Sequence, residues 1–161
     1  MSLFENHEYR WRETYFVLFE QSKRPTLAAF KKMLSKLPGH FQVSAASVED
    51  GDHIESVTVV APEDNAALDI SYVEGEEVVE QANELQDQIK PADDQERQKL
   101  RQLNRANARL DVMHFEHVST FEAEEDEDDE LLDPSALLVI LDHLVDMTHG
   151  VAIDPQSGTL L

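Results

Sequence analysis

The 161 residues include 34 Asp and Glu against 13 Lys and Arg, a formal net charge of −21. This excludes a nucleic-acid-binding domain that gains affinity by neutralising phosphates, and it disfavours anionic membrane surfaces. The length fits one domain, an apolar fraction of 41% argues against wholesale disorder, and the absence of cysteine removes disulfides, thiolate metal sites and cysteine nucleophiles together.

The charge is segregated. Residues 37–89 hold thirteen acidic residues and residues 110–161 hold fourteen, and neither stretch has a Lys or Arg. The start of the chain has no basic segment followed by an apolar one, and the longest apolar run, Ala136 to Leu141, is far shorter than a membrane span. A soluble, cytoplasmic protein is the expectation.

In chain order, Arg12 to Glu20 is aromatic and β-branched on both faces, which predicts a central strand covered on both sides. Pro25 and Thr26 open a helix with apolar positions Leu27, Phe30, Leu34 and Leu37, stopped by Pro38-Gly39. Phe41, Val43 and Ala45 alternate with polar residues in a second strand, and Ile54 to Ala61 forms a third. After the turn at Pro62 to Asn65, Leu68, Ile70 and Tyr72 alternate in a fourth, giving a hairpin or meander.

A helix from about Glu76 to Ile89 places Val78, Val79, Ala82, Leu85 and Ile89 on one side. Asp93 with Glu96 forms a capping box for another, reaching to about Asn107. Its Arg97, Arg101 and Arg105 recur every four residues and are expected to pair with Glu77, Glu80, Glu84 and Asp87 across an antiparallel helical hairpin. Leu110, Val112 and His114 alternate in a fifth strand.

Eight of the nine residues from Glu122 to Glu130 are acidic, predicting a solvated flexible loop over about 121–132. Asp133 then caps a helix, Pro134 sits at its first turn and Gly150 ends it. Apolar residues from Ala136 to Met147 cover more than half of that helix, leaving Ser135, Asp142, Asp146 and His149 as the polar stripe. Val151 to Ile153 and Thr159 to Leu161 close as a short hairpin.

The order β-α-β-β-β-α-α-β-α-β-β has no internal repeat, and its start resembles a split β-α-β arrangement. The reading is one α+β domain over residues 1–161. A mainly antiparallel sheet of about five to seven strands carries the helical hairpin and one well-buried C-terminal helix.

Three sets of residues are candidates for chemistry. His114 and Glu116 share one face of a strand while His117 points the other way, a spacing that matches neither zincin pattern. Asp142, Asp146 and His149 lie on one helical stripe and offer ligands for a divalent ion, although a solvated face is the simpler account. Glu124, Glu125, Asp126, Glu127, Asp128, Asp129 and Glu130 form the expected contact for a positive partner. The run is no EF-hand, since no glycine lies between Gly75 and Gly150. Phosphate-loop and nucleophile-elbow motifs are absent, and no cofactor is expected.

The absence of a coherent catalytic set favours a small acidic binding or regulatory protein. It would dock on a basic protein, in the manner of an immunity or inhibitor protein. The alternative is a metal-dependent enzyme using His114 and Glu116, or Asp142, Asp146 and His149. Self-association is compatible with either reading.

Overall fold

A computed structural model describes residues 9–38, 40–49, 51–62, 65–117 and 135–161. The acidic run from Glu122 to Glu130, with its expected flexibility, and the cap residues Asp133 and Pro134 lie outside them.

The chain forms β1 (Tyr9–Phe19), α1 (Leu27–Ser35), β2 (Gln42–Glu49), β3 (His53–Ala61), β4 (Ala66–Glu74), α2 (Glu76–Gln88), α3 (Asp94–Leu103), β5 (Ala108–His117), α4 (Ser135–Thr148), β6 (Val151–Asp154) and β7 (Thr159–Leu160). The fold is α+β. Seven strands make a single antiparallel sheet in the order β2-β3-β4-β5-β1-β6-β7. β1 and β2 run in the same direction with β3, β4 and β5 between them, so the opening β-α-β segment spans five strands of the sheet. No described helix is long and apolar enough to cross a membrane.

The alternation of each strand sends side chains to two faces, and both faces are covered by helices. On one, Val17, Phe19, Val57, Val59, Leu68, Ile70, Leu110 and Val112 form a buried cluster with Phe30, Met33 and Leu34 of α1 and Leu137, Ile140, Leu141 and Leu144 of α4. On the other, Leu18, Val151 and Ile153 cluster with Val78, Ala82 and Leu85 of α2 and Leu103 of α3. Each fully buried Leu, Ile or Phe stabilises the fold by about 1.5–3 kcal/mol before entropy is counted. β1 belongs to both clusters because Val17 and Phe19 point to one covered face and Leu18 to the other.

Helix starts follow the local rules. Thr26 accepts a hydrogen bond from the Ala29 amide at 3.2 Å, and Asp93 accepts one from the Glu96 amide at 2.9 Å. The Glu96 carboxylate reaches back to the Ala92 amide at 2.6 Å.

Helix ends differ from the sequence reading. α3 stops at Leu103 instead of about Asn107. Asn107 is drawn to the end of β1 instead: its amide donates to the Phe19 carbonyl at 3.0 Å and its side-chain oxygen accepts from the Gln21 amide at 2.7 Å. At the end of α4 the left-handed residue is His149, with φ of 53°, and not Gly150. Gly150 is required for another reason. A Cβ there would lie 2.7 Å from the Leu18 carbonyl oxygen and 2.8 Å from Thr148 Oγ1.

The expected ion pairing between α2 and α3 does not form. Among the described residues Arg97 pairs only with Asp94 of its own helix, at 3.4 Å, and no ion pair joins the two helices. The apolar contacts of Val78, Ala82, Leu85 and Leu103 set the packing, and exposed ion pairs are worth too little to redirect it. Val79, read as an inward position, is 40% exposed.

Candidate functional site

The most concentrated group of charges inside the described residues lies where β1 crosses β5. The register between the strands shifts between Trp11 and Glu13, where Arg12 has no direct partner on β5. A bulge of this kind turns the following side chains over. Here it brings Arg10, Arg12 and Glu13 to the sheet face that carries His114 and Glu116, since Arg10 stands opposite Glu116 and Glu13 opposite His114.

Glu116 is buried, and its Oε2 accepts from Arg10 Nη2 at 3.0 Å and from Arg12 Nη1 at 3.2 Å. A carboxylate removed from water needs such partners, and two guanidinium groups supply them. That engagement leaves Glu116 poorly placed to serve as a general base or metal ligand.

His114 is buried beside it, and neither ring nitrogen has a hydrogen-bond partner among the described residues. Nδ1 lies 3.5 Å from Glu13 Oε1, beyond good hydrogen-bond geometry, so the carboxylate acts on the ring mainly through its charge. Burial lowers the His114 pKa below its ordinary value, against the pull of Glu13. The imidazole is therefore neutral at pH 7. His117 points to the opposite face, as its place on the strand requires, and packs edge-on against Tyr9 with ring centres 5.2 Å apart. Both line a small pocket of about 190 Å³ with Val60, Pro62 and Asn65.

Asp142 and Asp146 on α4, and His149 just after it, are exposed. Asp146 and His149 line a groove of about 560 Å³ opposite Gln95, Gln98, Lys99 and Gln102 of α3, and Asp142 does not. Lys99 is committed to the Leu161 carbonyl at 2.7 Å. Among the described residues no three His, Asp or Glu groups are placed to hold a metal ion. The candidate contact residues Glu124, Glu125, Asp126, Glu127, Asp128, Asp129 and Glu130 lie outside the described residues.

Two polar clusters escaped sequence reasoning. Arg109 on β5 binds Asp111 through Nε, donates to Gln81 of α2 at 2.6 Å and stacks over Phe16 at 4.4 Å. Burial raises the Asp111 pKa, and the Arg109 guanidinium opposes that rise. Arg24 stacks on Tyr72 of β4. The Arg109–Asp111 spacing of two on a strand was a legible signal for a same-face ion pair, whereas Arg24 and Tyr72 are too far apart in sequence to signal anything.

A surface feature completes the picture. On α2, Glu76, Glu77, Glu80, Glu84 and Asp87 are all exposed, and none has an ion-pair partner among the described residues.

No protein-family model, no curated protein and no solved structure matches the chain.

Proposed function

We propose that this is a small acidic binding or regulatory protein of the cytoplasm that performs no catalysis and docks on a basic protein, in an immunity-like or inhibitor-like role. The observation that supports this reading is the row of exposed carboxylates on α2, which no Lys or Arg among the described residues neutralises although Arg97 and Arg101 of α3 and Arg105 just beyond it lie nearby in the chain. Unscreened charge of one sign accelerates encounter with the opposite sign and discriminates against like-charged partners. The acidic run at Glu124 to Glu130 extends the same character. The metal-dependent alternative lacks comparable support, because Glu116 is held by two arginines and, among the described residues, Asp142 does not join Asp146 and His149 in their groove to make a third ligand.

The test is affinity capture from the native lysate, with wild-type protein and a variant carrying Glu80→Gln, Glu84→Gln and Asp87→Asn. The wild type is expected to retain Lys- and Arg-rich proteins at about 0.01 M salt and to release them at about 1 M, where screening falls to about 3 Å. The variant is expected to retain less. Equal retention by both proteins, or no basic protein retained at all, overturns the proposal.

A further inference from the structure

The two edges of the sheet are unlike. β7 ends one side with only two residues, Thr159 and Leu160, a length that gives another strand little to pair with. β2 ends the other side with eight residues, of which all but Val43 are exposed. Along such an edge, alternate residues direct backbone N–H and C=O groups away from the sheet. Proteins ordinarily protect an edge of this length with Lys, Pro or inward-pointing charges. β2 has none of these: residues 42–48 read Gln-Val-Ser-Ala-Ala-Ser-Val. The protective devices present are two register shifts against β3, one between Val43 and Ala45 and one between Ser47 and Val48.

The absence of charge is the informative part. Residues 37–48 are twelve in a row without Asp, Glu, Lys or Arg, the longest such stretch in a chain that is 29% charged. The charge-free stretch of β3 is explained by burial, since Val57, Val59 and Ala61 are core residues. Burial does not explain β2. A neutral edge offers no electrostatic attraction to a basic segment. What it offers is freedom from repulsion, which matters most toward a partner carrying the same excess of negative charge. Another copy of this chain, at −21, is such a partner.

We infer that β2 is a self-association edge, on which two copies pair antiparallel about a two-fold axis and continue the sheet across the dimer. With the axis at Ala46, each Ala45 faces Ser47 of the other copy, each Ser44 faces Val48, and each Glu49 faces Val43, so no carboxylate meets a carboxylate. Glu49 is also tied to Arg24 at 3.3 Å within its own copy. A single strand pair buries less than the roughly 1,200–2,000 Å² of a stable interface, so the dimer depends on concentration. Because each copy is strongly negative, it also depends on screening.

The experiment is sedimentation velocity on the full chain at about 1 mM, a concentration that populates even millimolar complexes. Salt is raised from about 0.01 M to about 1 M, shortening the screening length from about 30 Å to about 3 Å. The wild type is expected to shift from mostly monomer at low salt to mostly dimer at high salt. Ala46→Glu places two carboxylates face to face on the axis and is expected to stay monomeric throughout, with the circular dichroism of the wild type because position 46 is exposed. Ala46→Thr, a better strand former without charge, is expected to dimerise at least as well as the wild type. A wild-type monomer at about 1 M salt, or a dimer that Ala46→Glu leaves intact, overturns the inference.

Discussion

The guanidinium carbon of Arg24 lies 3.7 Å from the centre of the Tyr72 ring, so the segment between β1 and α1 is seated on β4. The same side chain donates through Nε and Nη2 to the Ile54 carbonyl, at 3.0 and 2.9 Å, and pairs with Glu49. The neighbouring backbone is joined too, with the Leu27 amide on the Asp52 carbonyl and the Ile54 amide on the Pro25 carbonyl. The start of α1 is thereby tied to the β2–β3 turn.

Replacing that guanidinium should be costly. Hydrogen bonds from a charged donor contribute about 1.5–3 kcal/mol, and a cation stacked on a ring adds about 0.5–2. Arg24→Ala should therefore lose about 2–4 kcal/mol in a urea titration. Arg24→Lys should recover less than half, because an ammonium cannot both stack flat and donate as a fork. A loss below about 0.5 kcal/mol for Arg24→Ala would remove the clamp from the account.

His114 predicts a pH dependence whose sign follows from burial. Its folded pKa lies below the ordinary value of 6.5, so the unfolded chain takes up the proton first as the pH falls. The stability contributed by the neutral ring is complete above about pH 6.5 and declines as the pH drops toward the folded value. Glu13 and Glu116 on the same face favour the charged form and limit the size of the effect, whereas Arg12 adds to that of burial. His114→Phe should lose less melting temperature than the wild type between about pH 7 and about pH 5. Identical pH slopes for the two proteins would assign the titration elsewhere.

On α4, neighbouring positions should behave in opposite ways. Leu141 and Leu144 are buried in the cluster beneath the sheet, and either one changed to Ala should cost about 2–5 kcal/mol, depending on how far the cavity collapses. Asp142→Ala and Asp146→Ala, both exposed, should stay within about 0.5 kcal/mol. Chemical denaturation of the four variants measures the contrast. A costly aspartate, or divalent-ion binding that disappears with it in calorimetry, would turn attention to metal at this helix.

At the end of that helix, two adjacent residues should also diverge. Gly150→Ala forces a methyl group against the Leu18 carbonyl and should destabilise by more than about 2 kcal/mol, since the obstacle is backbone. His149→Gly relieves a left-handed residue and should be neutral or stabilising by up to about 1 kcal/mol. Thermal unfolding of both variants decides the matter, and a tolerated Gly150→Ala would contradict the close approach.

Salt should stabilise the fold. The two stretches without Lys or Arg contain 27 of the 34 acidic residues, and the carboxylates of α2 are unpaired among the described residues. Raising ionic strength to about 0.1 M limits repulsion to about 10 Å and should increase the melting temperature. A flat or falling melting temperature would mean that local pairing already neutralises these groups.

Much of this was legible in the residues themselves. The run Ile54 to Ala61 and the alternation at Leu68 to Tyr72 marked β3 and β4, and the caps Thr26 and Asp93 marked the starts of α1 and α3. These signals are local, because strand period, helix period and capping depend on residues within a few positions of one another. Strand order was not legible. β1 pairs with β5 and with β6, which lie far later in the chain, and many pairings satisfy the same alternation. The cluster of Arg10, Arg12, Glu13, His114 and Glu116 shows the difference most plainly. The sequence by itself determined that His114 and Glu116 share a face. Only the register of β1 on β5, with its shift at Arg12, decided that two arginines would hold Glu116 and that His114 would be buried beside Glu13. A one-residue slip would turn those side chains to the other side of the sheet, and what fixes the register is the packing of Val17, Leu110 and Val112 in the core.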